Sequence, residues 1–586
     1  MAANRTSNSR LGRRLSPLLV AALLSACGGG GSGDSSTAPA ADGSEPIDAG
    51  TSEPRNSEPD DGEPDSTEKG GTSVTADTSA LAVSGQVTSE GEGSGSDDLE
   101  PQSGGVLRIG LSADGSGFDT NQAISAGSSR IVSAMNDPLV AFDAEGEPAP
   151  WLAAGVEPSE DFLTWTITLR PDVRFHDGVA VDAAAVKANL DSFRGSASVG
   201  YGMALVTDIA VVDDLTLTVA MSSPWVAFDN YLAGQPGFMV SPTSIGTNND
   251  FVGTGPFVLD SWSPGDSARV VRNDDYWRDD LPYLDAVDFK FISDPTVRRQ
   301  ALEAGDIDAY TNANDFDILD FLDDPDVDVW IGEGNSNESL FLLNTTAAPF
   351  DDVRVRRAMA AAIDRDFVID IVRSGLTTPA DGPFDPTSKW FAETDYPDHD
   401  VDEAIRLVDE YEAENGPISF VLKGEPGLQS EELRDLVVSF WQDAGMEVTQ
   451  EEIGPGTSVS TAISDEFQAI VWTQFNAADP DGDYSFFRSG GPLNWTNFVD
   501  ERIDSALDLG RSTGDFDARY AAYAEFQQVL ASEVPIVWID HLGGVESVVS
   551  VPTVHNIAER TLPDGTPGQA LLAGSFFSYE DVWMEQ

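Results

Sequence analysis

The chain has 586 residues, 40% of them hydrophobic and 9% aromatic, so most of it is able to bury a sizeable core. Asp and Glu total 101 against 32 Lys and Arg, which gives a formal net charge of -69 at pH 7. Such an acidic surface repels phosphate backbones, so the composition excludes nucleic acid as an expected partner.

The first 27 residues have the features of a signal peptide that ends in a cysteine. Four arginines between residues 5 and 14 precede an apolar run, Leu15–Leu24, which is too short to span a bilayer. The tetrad Leu24–Cys27, LSAC, resembles the bacterial lipobox, in which the cysteine thiol takes a diacylglycerol before cleavage. Because Cys27 is the single cysteine, no internal disulfide is possible, and acylation is its predicted role. The alternative is an ordinary secretory signal with a chance cysteine.

Residues 28–103 differ in composition from everything after them. They are dominated by Gly, Ser, Thr, Pro, Asp and Glu, and they lack aromatic residues. Such a segment cannot bury enough apolar surface to offset the entropy of folding, so we predict a disordered, acidic and extended tether. A small domain without a clear pattern is the alternative. The tether does not account for most of the net charge, so the folded part is also acidic. A dispersed solvated surface explains this most simply, ahead of a saline habitat or a cationic ligand.

From about residue 104 onward the sequence predicts a mixture of strands and helices, and no later segment is long and apolar enough to cross a membrane. Apolar and polar residues alternate over 163–169 and 213–220, which is typical of half-buried strands, whereas 467–473 has the character of a more buried strand. Asp352 and Asp515 each precede apolar residues at helical spacing, so each is predicted to cap a helix. The length of this part favours two or three domains.

The sequence offers no constellation for catalysis. Its histidines do not form a metal-binding spacing, and neither a G-x-S-x-G nucleophile elbow nor a phosphate loop occurs. The four histidines are His176, His399, His541 and His555. Pairs of aspartates abound, but in so acidic a chain they carry little information about acid–base chemistry. We therefore predict a protein that is not an enzyme and that needs no metal or cofactor.

Six segments share a pattern with a known family. In chain order they are GGVLRIG (Gly104–Gly110), DFLTWTITLRPDVRFHDG (Asp161–Gly178), VGTGPF (Val252–Phe257), RNDDYWRDDLPYLDAVDF (Arg272–Phe289), NTTAAPFDDVRVRRAMAAAIDR (Asn344–Arg365), and Asp479-Pro480-Asp481 with Asn494 and the helix from Asp515 to about Ala531. Together they resemble the family 5 extracellular solute-binding proteins of ABC importers, which is the peptide, nickel and oligosaccharide group. Six pieces in the correct order over more than 400 residues make the resemblance specific.

The resemblance implies an α/β protein with a two-lobed periplasmic-binding-protein-like fold, whose lobes are joined by two crossovers. The first lobe would comprise residues 104–310 and 542–586, and the second lobe residues 311–541. The crossovers would lie near Asp308–Thr311 and near Ile539–His541. Closure about them would bury a solute between the lobes, with no covalent chemistry. The energy for transport would come from a separate ABC permease and ATPase.

One position departs from the family pattern. In peptide-binding members, an aspartate shortly before the Asp-Pro or Glu-Pro step pairs with the α-ammonium of the peptide. Counted back from Asp479, the corresponding place here is held by Asn476. A neutral amide accepts from an ammonium but offers no charge to offset desolvation. The departure predicts that a free peptide N-terminus is not the main determinant of affinity, unless the register shifts or Asp479 supplies the charge.

Other ligand contacts follow from the same resemblance. They are Trp472, Gln474, Asn494, Trp495, Ser125, Ala126 and Gly127. The two tryptophans are candidates for stacking on a sugar ring or a side chain, although each is equally well explained as core. The two amides offer donors and acceptors to an uncharged polar ligand. The last three residues hold the places at which relatives present backbone to the ligand.

The leading prediction is a substrate-binding lipoprotein, anchored on the outer face of the cell membrane, that captures a peptide or peptide-like solute for an ABC permease and its ATPase. We expect a monomer that contacts the membrane through its lipid anchor only. Capture of an oligosaccharide or another polar solute is one alternative. A ligand-sensing lipoprotein without a transport role is another. An importer operon beside the gene would favour transport, and a sensor kinase would favour sensing.

Overall fold

The computed structural model describes residues 99–586 apart from short gaps. The gaps are residues 116, 122–125, 197–198, 248–250, 312–314, 323, 332–336, 455–456, 476–478, 543–546, 558 and 573–575. The predicted signal peptide, Cys27 and almost all of the predicted tether lie outside the described residues. Over the part described, no helix combines the length and the apolar character that a membrane span requires.

A seven-stranded sheet organises the first half of the described chain. Its strands are β1 (Val106–Leu111), β8 (Phe257–Ser263), β9 (Ser267–Arg272), β10 (Ala286–Phe291), β11 (Ala309–Thr311), β12 (Asp328–Ile331) and β19 (Ser547–Ser550). Their order across the sheet is β12-β19-β11-β1-β10-β9-β8, and β1 runs parallel to both of its neighbours. In β1 the apolar residues Leu107, Ile109 and Leu111 are at most 1% exposed, as expected for a central strand.

A four-stranded antiparallel sheet belongs to the same half of the molecule. Its strands are β4 (Ala153–Pro158), β5 (Thr164–Leu169), β6 (Val206–Asp213) and β7 (Thr216–Met221), in the order β4-β5-β7-β6. Trp165, Ile167 and Leu169 are buried, whereas the threonines between them face the other way. The alternation in the sequence therefore predicted β5 correctly, because one face of the sheet packs on a core and the other does not.

A six-stranded sheet organises the second half. Its strands are β13 (Asn337–Leu343), β14 (Thr378–Pro379), β15 (Ser419–Gly424), β16 (Glu447–Glu452), β17 (Ala469–Phe475) and β18 (Ile536–His541). The order is β14-β18-β13-β17-β15-β16, and β13 is antiparallel to both β17 and β18. The buried strand predicted at 467–473 is confirmed as β17. We call the part built on this sheet the second lobe, and the part built on the seven-stranded and four-stranded sheets the first lobe.

Helices and short strand pairs complete the two lobes. The helices are α1 (Ala126–Met135), α2 (Ala183–Gly195), α3 (Phe228–Tyr231), α4 (Pro295–Glu303), α5 (Asp315–Phe321), α6 (Val353–Ala361), α7 (Arg365–Val372), α8 (Val401–Asn415), α9 (Leu428–Asp443), α10 (Ser458–Ile463), α11 (Tyr484–Phe487), α12 (Glu501–Ser512) and α13 (Phe516–Glu533). The short strands pair as β2 (Val140–Phe142) with β3 (Pro148–Pro150), β20 (Val554–His555) with β25 (Trp583–Met584), β21 (Glu559–Thr561) with β22 (Pro567–Gln569), and β23 (Leu571–Leu572) with β24 (Phe576–Phe577).

Aspartates begin many of these helices. The carboxylates of Asp182, Asp294, Asp352, Asp364, Asp400, Asp500 and Asp515 each accept from a backbone N–H two or three residues further on. The caps predicted at Asp352 and Asp515 are therefore confirmed. A carboxylate at this place satisfies an unpaired N–H and opposes the positive end of the helix dipole. Part of the acidity of the chain thus has a local structural role.

The chain passes between the two sheets twice. It leaves the seven-stranded sheet after Ile331 and enters the six-stranded sheet at Asn337, and it returns between His541 and Ser547. The first passage differs from the one predicted near residues 308–311. The reason is that β19 pairs with β12 as well as with β11, so the segment between them stays with the first lobe.

Each lobe has its own apolar core. The buried apolar cluster of the second lobe draws only on residues between Leu340 and Ile539. The fully buried members of the first-lobe clusters lie before Asn337 and after residue 546, and the partly buried Leu376 of the second lobe packs against one of these clusters. Among the described residues, no cluster of fully buried apolar side chains spans the two lobes. Since neither core depends on the other, the lobes can shift about the passages as rigid bodies.

Candidate functional site

Three buried aspartates belong to a short 3-10 turn, Pro480–Asp483, beyond the end of β17, with Asp479 as its N-cap. Asp479, Asp481 and Asp483 are each at most 7% exposed. Asp479 accepts from the backbone N–H of Asp481 at 2.9 Å and from the guanidinium of Arg519 at 2.6 Å. Burial raises the pKa of Asp479, and the positive charge of Arg519 opposes that rise. Asp479 therefore fixes the turn, and its charge is compensated by Arg519.

The next aspartate of the turn joins the two lobes. Asp481 Oδ2 accepts from Nε1 of Trp225 at 2.6 Å, and its two oxygens accept from Arg511 at 2.5 and 2.9 Å. Arg511 belongs to α12 of the second lobe, whereas Trp225 lies between β7 and α3 of the first. The backbone N–H of Val226 also donates to the carbonyl oxygen of Arg511 at 2.9 Å. Trp225 and Asp481 are 3% and 7% exposed, so these hydrogen bonds form away from solvent, where they are stronger.

Two further contacts cross between the lobes near this point. The ring of Phe162 lies so close to Gly514 that a Cβ atom there would be 2.8 Å from Cζ of Phe162. Nearer to solvent, Lys389 of the second lobe forms an ion pair with Glu147 of the first. The exposed pair contributes little to stability, so the buried contact of Asp481 dominates.

The contact region holds more carboxylates than cations. Burial raises the pKa of Asp483 to about 8, and the charges of Asp481 and Asp479 add to the effect. Across the contact, burial raises the pKa of Asp229 in α3 to about 6, and Asp479 contributes to this as well. Oδ2 of Asp483 has no hydrogen-bond partner in the part of the chain that the structure describes. A proton on Asp483 therefore relieves repulsion where the lobes meet.

The two tryptophans predicted as ligand contacts pack on each other. The rings of Trp472 and Trp495 meet edge to face with their centroids 4.5 Å apart, and Phe486 lies 5.9 Å from Trp495. Both tryptophans are partly buried against the core of the second lobe. The structure thus brings the two rings together as an aromatic pair, with Trp472 in β17 and Trp495 packed against it.

The two predicted amides differ in how their hydrogen bonds are used. Nδ2 of Asn494 donates to the carbonyl oxygens of Arg488 and Phe498 at 3.2 and 2.8 Å, and its Oδ1 accepts from Thr496 at 3.0 Å. Asn494 therefore stabilises its own turn. Gln474 is 3% exposed, and its Nε2 has no partner within the described chain. Of the two, only Gln474 has a donor to offer.

The predicted backbone contacts lie at the start of α1. Gly127 is its second residue, and a Cβ there would lie 2.4 Å from the carbonyl oxygen of Ala113, so only glycine fits so close to the loop after β1. Ala126 begins the helix, but its side chain lies outside the description. Ser125 and Asn476 fall in the gaps, so their predicted roles rest on the sequence alone.

Sequence reasoning missed Trp225, Glu338 and His541. Trp225 gave no signal, because its partner Asp481 lies 256 residues further along the chain. Glu338 did give one, since it is the only charged residue of strand β13 and is followed by the apolar run Leu340–Leu343. It is fully buried. An acid at such a position marks a buried polar group that needs a partner.

A comparison with known proteins adds to this geometry. Residues 147–497 match the family model of the bacterial extracellular solute-binding proteins, family 5 middle. The chain is 25% identical over 485 residues to the glutathione-binding protein GsiB of Pectobacterium atrosepticum, which covers 79% of this chain and 91% of that protein. For GsiB of Salmonella typhimurium the identity is 26% over 467 residues, with coverages of 76% and 90%.

Solved structures resemble the whole described fold. The structure of the PBP AgaA from A. tumefaciens R10 in complex with agropinic acid superposes with a TM-score of 0.72 at 26% identity, covering 82% of this chain and 99% of that one. For the periplasmic binding protein DppA of Helicobacter pylori in complex with the peptide STSA, the TM-score is 0.71 at 23% identity, with coverages of 83% and 99%. The described chain is a two-lobed α/β fold of the periplasmic-binding-protein type.

The hydrogen bond between Trp225 and Asp481 predicts that its loss shifts the equilibrium between closed and open molecules. Trp225→Phe keeps most of the ring but removes the indole N–H. A hydrogen bond to a charged group contributes roughly 1.5–3 kcal/mol, so the ratio of closed to open molecules should fall about 10- to 100-fold. Small-angle scattering of the ligand-free protein should then report a larger radius of gyration for the variant.

Trp262→Phe is the matched control for this measurement. It removes an indole hydrogen bond to Asp114 that lies within the first lobe, so it should leave the scattering unchanged. Identical scattering from Trp225→Phe and the wild type would show that this bond does not hold the lobes together.

The raised pKa of Asp483 predicts a pH dependence of stability. With a pKa of about 8 when folded against an ordinary 3.8, the native protein keeps a proton that the unfolded chain has lost. Its contribution to stability is therefore complete below about pH 4 and is lost as the pH rises through about 8. The side chain of Asp483→Asn cannot ionise. Between about pH 4 and pH 8, the free energy of unfolding of the variant should therefore rise relative to that of the wild type by up to about 1.4 kcal/mol per pH unit.

Urea unfolding at several pH values between 5 and 9 measures this difference. The exposed Asp409→Asn, in α8 of the same lobe, serves as the control and should track the wild type. A difference in the free energy of unfolding between Asp483→Asn and the wild type that stays constant with pH would contradict the raised pKa of Asp483.

Proposed function

The chain belongs to family 5 of the bacterial extracellular solute-binding proteins, and on this premise we propose that it captures a peptide or peptide-like solute between its lobes for an ABC importer. The observation that carries the proposal is the buried hydrogen bond of Trp225 with Asp481. It forms only when the lobes meet, so it links closure of the cleft to a defined contact. A solute that bridges the lobes would add its own contacts to the same closed form.

The class of solute is argued from two observations. The relatives named above are glutathione-binding proteins, and the solved structures hold agropinic acid and a peptide. The place of the ammonium-pairing aspartate is held by Asn476, and the alternative charge, that of Asp479, is paired with Arg519. We therefore propose a solute with peptide-like groups for which a free α-amine is not the main determinant of affinity. The ligand contacts predicted on the second lobe, notably Gln474 and the pair of tryptophans, would line its site.

No covalent step is part of this proposal. The relatives are binding proteins, and the solute would leave the cleft unchanged. We propose that the lobes follow the two sheets, so that the first lobe extends to Ile331 and resumes at Ser547. The second lobe would then begin at Asn337 and end at His541.

Calorimetry with glutathione and with one short peptide, free and N-acetylated, tests the proposed solute class. We expect the free and acetylated peptides to bind within about threefold of each other. Loss of a charge-assisted hydrogen bond would instead cost roughly 1.5–3 kcal/mol, or about 10- to 100-fold. Asn476→Asp should raise affinity for the free amine over the blocked form. Abolition of binding by acetylation, or a co-purifying solute that mass spectrometry identifies as a sugar, would contradict the proposed class.

We further propose that Cys27 anchors the protein outside the cell membrane. Residues 1–26 would be removed, so that the acylated Cys27 becomes the N-terminus, and residues 28–103 would serve as the tether to the lobes. A Gly/Ser-rich chain of this length has an end-to-end distance of about 50 Å, and the acidic residues would extend it. The lobes could then reach the permease as a monomer with no other membrane contact.

Cys27→Ser tests the anchor, because a hydroxyl does not replace the thiol in acylation. The variant should move from the membrane fraction to the soluble fraction, or keep residues 1–26 uncleaved. Fractionation followed by mass spectrometry of the N-terminus distinguishes these results. Normal cleavage together with unchanged membrane retention would rule the lipid anchor out.

A further inference from the structure

A row of polar side chains crosses the second lobe at the end of its central strands. In the register of β13, Glu338 lies opposite Gln474 of β17 on one side and opposite His541 of β18 on the other. Residues directly opposite each other in antiparallel strands point to the same face of the sheet. Glu338, Gln474 and His541 are 0%, 3% and 1% exposed. Three polar residues thus occupy one buried row, whereas the next residues on the same face of β13 and β17, Leu340 and Trp472, are apolar.

The row lies at the edge of the sheet that meets the first lobe. Asn337, beside Glu338, is where the chain enters the second lobe, and His541 is the last residue before it returns. After Gln474, β17 leads on to the turn in which Asp481 contacts Trp225. All three members of the row therefore lie where the lobes come together, and Trp472 is the next residue inward on the same face.

Two nitrogen atoms of the row have no hydrogen-bond partner among the described residues. Nδ1 of His541 lies 3.3 Å from Oε1 of Glu338. Burial lowers the pKa of His541 to about 4, so the ring is neutral at pH 7 and its Nδ1–H donates to Glu338. Nε2 of His541 is then an acceptor. Neither this atom nor Nε2 of Gln474, a donor, has a partner in the part of the chain that is described.

Unpartnered polar atoms this deeply buried are uncommon in native proteins and usually indicate a missing partner. The two atoms offer one acceptor and one donor, which is the complement of an amide, whose N–H donates and whose C=O accepts. The two atoms belong to β17 and β18, which lie on either side of β13. A single ligand atom is therefore too small to bond both, and a planar group with a donor and an acceptor at opposite ends is the better match. A charged ammonium would satisfy only the acceptor.

We infer that His541 and Gln474 form a subsite that binds an uncharged amide group of the solute, His541 accepting its N–H and Gln474 donating to its carbonyl oxygen. Glu338 is a positioning residue, because its carboxylate fixes the ring of His541 with Nε2 as the acceptor. The inference rests on the proposed function, since the amide must come from a solute held between the lobes. It also accounts for affinity without a free α-amine.

Replacement of one amide of the solute by an ester tests the subsite without altering the protein. The probes are N-acetyl-trialanine amide and analogues in which lactate replaces one alanine at a time, so that an ester oxygen stands where an N–H was. For the full-length wild type we expect one analogue to bind about tenfold more weakly than the peptide in calorimetry. His541→Phe, checked by thermal unfolding, should bind that analogue and the peptide alike. The control His399→Phe, at a partly exposed position of the same lobe, should keep the tenfold ratio.

Two variants separate positioning from mere structural support. Glu338→Gln still presents an oxygen to Nδ1 of His541 and should keep the tenfold ratio, whereas Glu338→Leu should lose it. Equal binding of every analogue by the wild type would overturn the subsite and leave the proposed function standing. A ratio that survives in His541→Phe would do the same. Failure of the wild type to bind any of these peptides would contradict the proposed function, and the subsite with it.

Discussion

Burial of carboxylates where the lobes meet is the constraint on which the closed structure depends. A carboxylate removed from water is costly unless it is paired and hydrogen-bonded. Asp479 finds its partner, Arg519, within its own lobe, but Asp481 completes its bonding only with Trp225 of the other lobe. Asp229 adds a like charge at the same place, which opposes closure, whereas Asp483 keeps a proton at pH 7 because burial raises its pKa to about 8. Because these contacts oppose one another, a solute that adds contacts in the closed form would shift the population toward closure.

The architecture suits such a balance. Each lobe has its own apolar core, and only the two passages, at Ile331–Asn337 and at His541–Ser547, connect the sheets. Relative motion of the lobes therefore costs few apolar contacts. The polar row of Glu338, Gln474 and His541 stands at the ends of the strands beside both passages. In our account, a solute that satisfies the row also bridges the lobes.

Much of this fold was predictable, because its signals are local. Alternation of apolar residues and threonines identified β5, and Asp352 and Asp515 identified the starts of two helices. The six family segments identified the two-lobed class. The first passage between the lobes was placed too early, because β12 is paired into the first-lobe sheet by β19, more than 200 residues later. The contacts of Asp479 with Arg519, and of Glu338 with His541, likewise join distant segments, and no local pattern predicts them.

If a peptide-like solute closes the lobes, the distance between the lobes must change when the solute binds. With Cys27→Ser as background, spin labels at Val212→Cys and Val499→Cys place one probe on an exposed position of each lobe, where the native residues are 61% and 69% exposed. Pulsed dipolar spectroscopy should report a broad distribution of distances without solute. Saturation with glutathione or a short peptide that binds in calorimetry should reduce it to a single narrow peak. An unchanged distribution at saturation would contradict the account.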